Sequence, residues 1–317
     1  MNIMRCLPRH IVSARTLPLI MAYGVGAIFC SCVEIWESGH ESGVNAQQLE
    51  PLKIGDVTLV SMAEYPGHRN IYISKNLITV DAFREFAHDL DYHDTLTPYK
   101  GTGETMGVDP EGPEPLISGI SWLDPFPGIF DQPGDHPVVA VSYLDAMEFC
   151  RWLTFQEQNR GTICSDSYFR LPQHSEILLT TNGRNYPWGD DWPPPDGFRA
   201  NLSGTTTDDS GDHAFVDEWI RTSPVGAGSD QDLLIQDVFG NVEEWTCTIA
   251  RGMISHPSEI EGRNTPFISL MVAGSSWTHS AEPDAVKMSR TGRGVFAFSG
   301  WNTIGFRVVL VKEKNSH

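Results

Sequence analysis

The chain has no Gly-x-Ser-x-Gly elbow, no His-Glu-x-x-His helix, no phosphate-binding glycine loop and no dinucleotide fingerprint. The common hydrolase, zinc-protease, nucleotide and dehydrogenase templates are therefore set aside. No internal repeat is present, so no repeat architecture is expected. Positive charge is scarce: 22 Lys and Arg face 41 Asp and Glu, a formal net charge of −19. Such a surface repels phosphates, which argues against a nucleic-acid partner. It suits a soluble extracellular protein or one that binds cations. Cysteine is also sparse. Beyond residue 32 only Cys150, Cys164 and Cys247 remain. An odd number cannot all pair within one chain, and Cys164 with Cys247 is one available pairing. The one sustained apolar run, Leu17 to Phe29, is short for a membrane span.

That run sits in an export-type leader. Arg5, Arg9 and Arg15 form a basic start without a single acid over residues 1–32. It ends at Phe29-Cys30-Ser31-Cys32. A small residue before a cysteine resembles a bacterial lipoprotein cleavage site, which would make Cys32 a lipid anchor. Ordinary cleavage and an uncleaved anchor are the alternatives. Residues 33–50 read as a polar tether. The expected location is exported: periplasmic, outer-membrane-associated as a lipoprotein, or secreted.

Residues 51–317 carry enough aromatic and aliphatic side chains for a full core. Gly 29 and Pro 21 point to short elements and many loops. Ile54 to Val60 and His68 to Ser74 alternate as strands do. Thr79 reads as an N-cap, with Val80, Phe83, Phe86, Ala87 and Leu90 as a helical stripe. Lys100 to Gly134 has little periodicity and reads as a long loop, pinned to the core by Trp122 and Phe126. Val138 to Val141 reads as a short strand. Ser142 and Asp145 form a capping box, and Ala146, Phe149, Cys150 and Leu153 lie on one face of a second helix. That places Cys150 in the core as a small hydrophobe. Gln173 to Thr180, with Glu176 at the third helical position, predicts a third helix. Tyr186 to Gly189 closes a turn.

The most informative stretch is Asp237-Val238-Phe239-Gly240-Asn241-Val242-Glu243-Glu244-Trp245. Its Gly-Asn corner marks backbone positions with unusual dihedrals. His136 to Ser142, Arg170-Leu171-Pro172, Tyr186 to Gly189 and Gly305-Phe306-Arg307-Val308-Val309 accompany it in order. Together these motifs resemble the formylglycine-generating enzyme family, also called sulfatase-modifying factors, from about His68 to Val309. The resemblance implies an α+β fold with a C-type-lectin-like core, loop-rich and low in regular secondary structure. Many members pair a cysteine at position 150 with one at position 308. Here position 308 is Val308, so that bridge is absent. Arg307 is expected to be a structural hydrogen-bond donor.

The family carries calcium on its loops. By resemblance, Asn201 and the Leu202 carbonyl supply one half of a site, and Asp217 with the Trp219 carbonyl the other. Oxygen donors of this kind suit calcium, which takes about six to eight of them. A second family site falls on Ser229 to Leu234, where the usual glycines are missing. Asp208, Asp209 and Asp212 add charge without evident geometry.

Active family members oxidise a substrate cysteine to formylglycine, using oxygen and copper(I) on two cysteines. Soft thiolates suit copper(I). The segment that precedes those cysteines is here Gly274-Ser275-Ser276-Trp277, which places His279 and Asp284 at the two thiol positions. Glu243 stands where the family has a tryptophan. Copper chemistry by the thiolate mechanism is therefore not expected. Ser276 matches a family serine near the oxygen site, and a small residue packed beside a buried tryptophan explains it equally well. His279, Glu282 and Asp284 form a candidate transition-metal set for iron, zinc or manganese. An iron triad needs a second histidine, from His68, His136 or His174. The bland alternative is a polar loop with a stray histidine.

The sequence thus predicts a binding or accessory module of the cell envelope, taking an envelope protein, peptide or glycan as ligand. The alternatives are a non-heme iron or copper oxygenase with His279, Asp284 and Ser276 as catalytic residues, and a calcium-dependent ligand binder with a pocket near Trp245 and Trp277.

Overall fold

In a computed structural model of the chain, the structure describes residues 51–55, 57–62, 65, 67–89, 105–108, 116–203, 215–216, 218–228, 233–250, 269–279, 287 and 292–312. The leader and the tether lie outside the described residues. So do Asp208, Asp209, Asp212, Asp217, Glu282 and Asp284, and most of the second calcium segment.

In chain order the elements begin with β1 (Leu52–Ile54), β2 (Val57–Ser61), β3 (Ile71–Ser74) and α1 (Val80–Asp89). Next come β4 (Thr105–Val108), β5 (Leu116–Ser118), α2 (Tyr143–Arg160), β6 (Tyr168–Arg170) and α3 (His174–Thr180). The chain continues through β7 (Phe198–Arg199), β8 (Phe215–Val216), β9 (Glu243–Ile249) and β10 (Ser269–Ala273). It closes with β11 (Arg293–Phe296), β12 (Gly300–Trp301), β13 (Ile304–Gly305) and β14 (Val309–Val311).

These form a five-stranded sheet in the order β1-β2-β3-β14-β6 and a four-stranded sheet in the order β11-β10-β9-β13. A three-stranded sheet, β12-β4-β5, and the β7-β8 pair complete the set. This is the loop-rich α+β fold expected. No helix among the described residues is long and apolar enough to cross a membrane.

The three helices follow the sequence pattern closely. Thr79 Oγ1 accepts from the Ala82 amide, and α1 buries Val80, Phe83, Phe86 and Ala87. The Ser142–Asp145 capping box starts α2, and Gly161 closes it in the left-handed region (φ 71°). Phe83, Phe86, Phe149 and Phe306 meet with ring centroids 5.0–6.3 Å apart and join the two helices to the last strand segment. Glu176 caps α3 as expected and also takes two hydrogen bonds from Arg170, at 2.6 and 2.7 Å. No disulfide forms among Cys150, Cys164 and Cys247. Cys150 lies in the core beside Phe149 and Leu153.

Three expectations change. Ile54 to Val60 is not one strand but a hairpin, with Ile54 opposite Val57 and Gly55 at φ 55°. The Lys100 to Gly134 loop contains β4 and β5. Trp122 and Phe126 nevertheless pin it as predicted, Trp122 onto Phe83 and Phe126 onto Trp277. Val138 to Val141 is not a strand. Its four side chains are fully buried, but Ala140 adopts φ 56° and breaks the extended run. The segment bonds instead to both sides, Val138 N–H to Ile78 O and Ala140 N–H to Trp301 O, each at 2.9 Å.

Candidate functional site

The Gly-Asn corner is the joint of the site. Gly240 has φ 86°, and a Cβ there would lie 2.5 Å from the Asn201 carbonyl oxygen. Only glycine permits that approach. Asn241 is also left-handed (φ 61°). Its amide donates to Asn201 O at 2.9 Å, and its carbonyl accepts from the Trp277 amide at 2.9 Å. Its side chain takes the Ser223 amide at 3.1 Å and gives back to Ser223 O at 3.3 Å. One asparagine therefore ties three loops together, those of Asn201, Ser223 and Trp277.

Behind the corner, Glu244 of β9 meets Arg307. Both are fully buried. Arg307 Nε and Nη2 donate to the two Glu244 oxygens at 2.5 and 2.7 Å. Nη1 donates to Ser74 O and Lys75 O, and Nη2 to Gln236 O. Each guanidinium hydrogen thus has an acceptor, the condition under which a buried ion pair is tolerated.

Glu243, the first of the two acids in β9, is also held. Arg293 of β11 donates to its two oxygens at 2.9 and 2.7 Å. Glu243 is 3 % exposed and the Arg293 side chain 45 %. The guanidinium lies 5.7 Å from the centre of the Trp301 ring. Arg293 carries no motif in the sequence; two acids in a row on a strand require partners on two faces, and that was the available signal.

The Ser276–His279 turn contains Trp277. Ser276 is fully buried, and Trp277 nearly so. The Ser276 amide donates to His279 Nδ1 at 3.0 Å, and Ser276 Oγ lies 3.0 Å from the same nitrogen. An amide can only donate, so Nδ1 is the acceptor nitrogen and Nε2 carries the imidazole proton. His279 O accepts the Ser203 amide at 2.8 Å. Arg221, absent from the sequence reading, places its guanidinium 5.1 Å from the centre of the Trp277 ring. No side-chain signal in a single sequence marks that pairing.

The structure brings Asn201, Ser276, Trp277 and His279 into one connected region. Glu282 and Asp284 fall outside the described residues. Among the described residues no three His, Cys, Asp or Glu side chains cluster as a metal site would. His136 is not near such a cluster: its Nδ1 lies 2.9 Å from Thr222 Oγ1, its ring faces Phe130, and burial pushes its pKa down.

The oxygen-rich region starts at β7. Phe198 and Arg199 pair in parallel with Phe215 and Val216, so the chain leaves both strands in the same direction. Asn201 follows one strand and Trp219 the other. Arg199 bonds Glu218 and lies over the Trp219 ring. Asn201 is 3 % exposed. Its Nδ2 donates to Arg221 O at 2.8 Å, which fixes the amide orientation. Its Oδ1 is buried and finds no hydrogen-bond partner among the described residues. Buried acceptors are ordinarily satisfied by a protein group, a water or an ion.

The family model for the sulfatase-modifying factor enzyme 1-like domain matches residues 60–312. A formylglycine-generating enzyme of Mycobacterium tuberculosis is 33 % identical over 138 residues, 42 % of this chain and 40 % of that protein. A Bos taurus protein named inactive C-alpha-formylglycine-generating enzyme 2 is 30 % identical over 181 residues, 55 % of this chain and 50 % of its own. The chain thus spans half or less of the length of these curated relatives. The solved structure of PvdO from Pseudomonas aeruginosa is 16 % identical, with a TM-score of 0.48 over 76 % of this chain and 80 % of that one. The family match spans most of the sequence, and the chain belongs to the sulfatase-modifying factor, or formylglycine-generating enzyme, family.

Proposed function

We propose that this chain is a non-copper member of the family that works as a binding or accessory module of the cell envelope. The observation that carries the reading is the state of His279. It stands at one of the two thiol positions, and its Nδ1 lone pair already accepts the Ser276 amide. Nε2 then bears the proton and has no lone pair to give a metal. Shifting the proton to Nδ1 would set two N–H groups against each other. The turn does not fit a copper or iron ion, and no reaction step is routed through one. What His279 offers is a single N–H donor, suited to a carbonyl or carboxylate oxygen of a peptide, glycan or protein ligand. Glu243, with Arg293 across it, replaces the family tryptophan by an ion pair and further separates the region from the copper-dependent relatives. Export and a lipid anchor at Cys32 are part of the proposal and rest on the leader alone.

The test is oxidation of a Cys-x-Pro-x-Arg peptide by the purified protein loaded with copper(I) or iron(II). The expected result is no formylglycine. Turnover that disappears in His279→Ala would overturn the reading.

A second reading is favoured by Asn201. Its Oδ1, buried and without a hydrogen-bond partner among the described residues, suits a calcium ion. Asn201, the Leu202 carbonyl, Asp217 and the Trp219 carbonyl would hold it. The ion would supply a fixed positive charge that organises these loops for ligand binding. A calcium titration followed by calorimetry tests this, with one site per chain expected and loss in Asn201→Ala.

A further inference from the structure

Asn201 and the His279 turn are joined by three separate routes. The first runs through Leu202: the next amide, Ser203 N–H, donates to His279 O at 2.8 Å. The second runs through the side chain: Asn201 Nδ2 holds Arg221 O at 2.8 Å, and the Arg221 guanidinium lies over the Trp277 ring. The third runs through the corner: the Asn201 carbonyl takes the Asn241 amide, whose own carbonyl takes the Trp277 amide. Ser276, between these contacts, fixes the His279 ring. Every member of the three routes except Trp277 and His279 belongs to the Asn201, Arg221 or Asn241 loop. Among the described residues, Asn201 Oδ1 is a buried side-chain acceptor of this assembly without a hydrogen-bond partner.

We infer that cation occupancy at Asn201 sets the order of the Trp277–His279 turn, so that the ligand donor His279 Nε2–H is presented in its binding position when calcium is bound. This rests on the calcium reading above and adds a coupling between two sites to it. The physical basis is local. An ion on Oδ1 holds the Asn201 side chain, and with it Arg221 O and the backbone at Leu202. Ser203, next to Leu202, donates to His279 O, and the Arg221 guanidinium lies over the Trp277 ring. Ordering one end of a closed hydrogen-bonded ring lowers the opening of the other. Linkage is reciprocal, so a ligand that engages the turn raises calcium affinity.

The experiment uses the full chain, with calcium chloride as the only addition. Calorimetry reads binding, and residue-resolved hydrogen exchange reads the Ser203 and Trp277 amides beside those of Phe169 and Leu310, which lie in the five-stranded sheet. The expected result is heat of binding with exchange slowed about tenfold or more at Ser203 and Trp277 and little changed at Phe169 and Leu310. Binding heat with unchanged exchange at Ser203 and Trp277 overturns the coupling and leaves the calcium reading standing. Slowing spread equally over all four amides is global stabilisation and also overturns it. Absence of binding heat overturns both. In Asn201→Asp, which keeps an oxygen for the ion but loses the amide donor to Arg221 O, calcium binding persists and the slowing at Trp277 is reduced. Full slowing at Trp277 in that variant would contradict the side-chain route.

Discussion

Arg307 and Glu244 form a buried pair in which a guanidinium from the last strand segment is bound, at 2.5 and 2.7 Å, by a carboxylate from β9. Three backbone carbonyls accept its remaining hydrogens. The pair joins the two largest sheets: Ser74 ends β3, Glu244 sits in β9, and Arg307 lies between β13 and β14. Removing one member leaves an uncompensated charge in the core. Arg307→Leu is expected to lose about 3–5 kcal/mol of stability. Urea unfolding with an unchanged denaturant slope would measure it. Glu244→Leu combined with Arg307→Leu should recover part of that loss.

The two salt bridges of Arg293 and Arg84 look alike on paper and should behave differently. Arg84 and Asp81 are 45 % and 61 % exposed, so solvent screens them. Arg84→Ala is expected to cost no more than about 1 kcal/mol. Arg293 is equally exposed, but its partner Glu243 is only 3 % exposed. Arg293→Ala strands a buried carboxylate and should cost about 1–3 kcal/mol. Equal effects of the two substitutions in the same unfolding assay would refute the distinction.

His136 makes stability depend on pH. Burial lowers its pKa from the usual 6.5, against the opposing effects of Asp135 and Thr222. The unfolded chain therefore takes up a proton at a higher pH than the folded chain does. This contribution is complete above pH 6.5 and is lost as pH falls below it. His136→Gln should flatten the stability profile in that window. A wild-type profile as flat as the variant's would contradict the assignment.

The thiols should separate by reactivity. Burial pushes the Cys150 thiol pKa well up, so little thiolate forms there. Cys164 and Cys247 are partly exposed. Alkylation of the native protein at pH 8, read peptide by peptide, should label those two at least about tenfold faster than Cys150. Rapid labelling of Cys150 would show that the α2 face opens.

Much of this arrangement was legible in the sequence because local rules and tertiary packing agree there. The capping boxes at Ser142 and Gln173 and the apolar stripes of α1 and α2 are local signals, and the helices follow them. The Val138 to Val141 run misled for a physical reason: burial on all sides gives the composition of a strand, while the left-handed Ala140 prevents the ladder. β4 and β5 were hidden because strands of four and three residues, β4 paired with distant β12 and β5 with β4, carry little periodicity of their own. At the site, Asn201 and His279 could be singled out by resemblance. Their connection could not, since it runs through main-chain groups of Ser203, Arg221 and Asn241, which carry no side-chain signature. Glu243 was visible as a departure, but its partner Arg293 sits 50 positions later.

The central claim is that the Ser276–His279 turn presents a hydrogen-bond donor and not a metal ligand. The most direct measurement is nitrogen-15 NMR of the His279 ring in the full chain, before and after anaerobic addition of copper(I) and then iron(II). The account predicts a neutral ring with its proton on Nε2, unchanged by either metal. A ring protonated on Nδ1, or a His279 signal lost with one equivalent of metal bound, would contradict it and return the turn to oxygen chemistry.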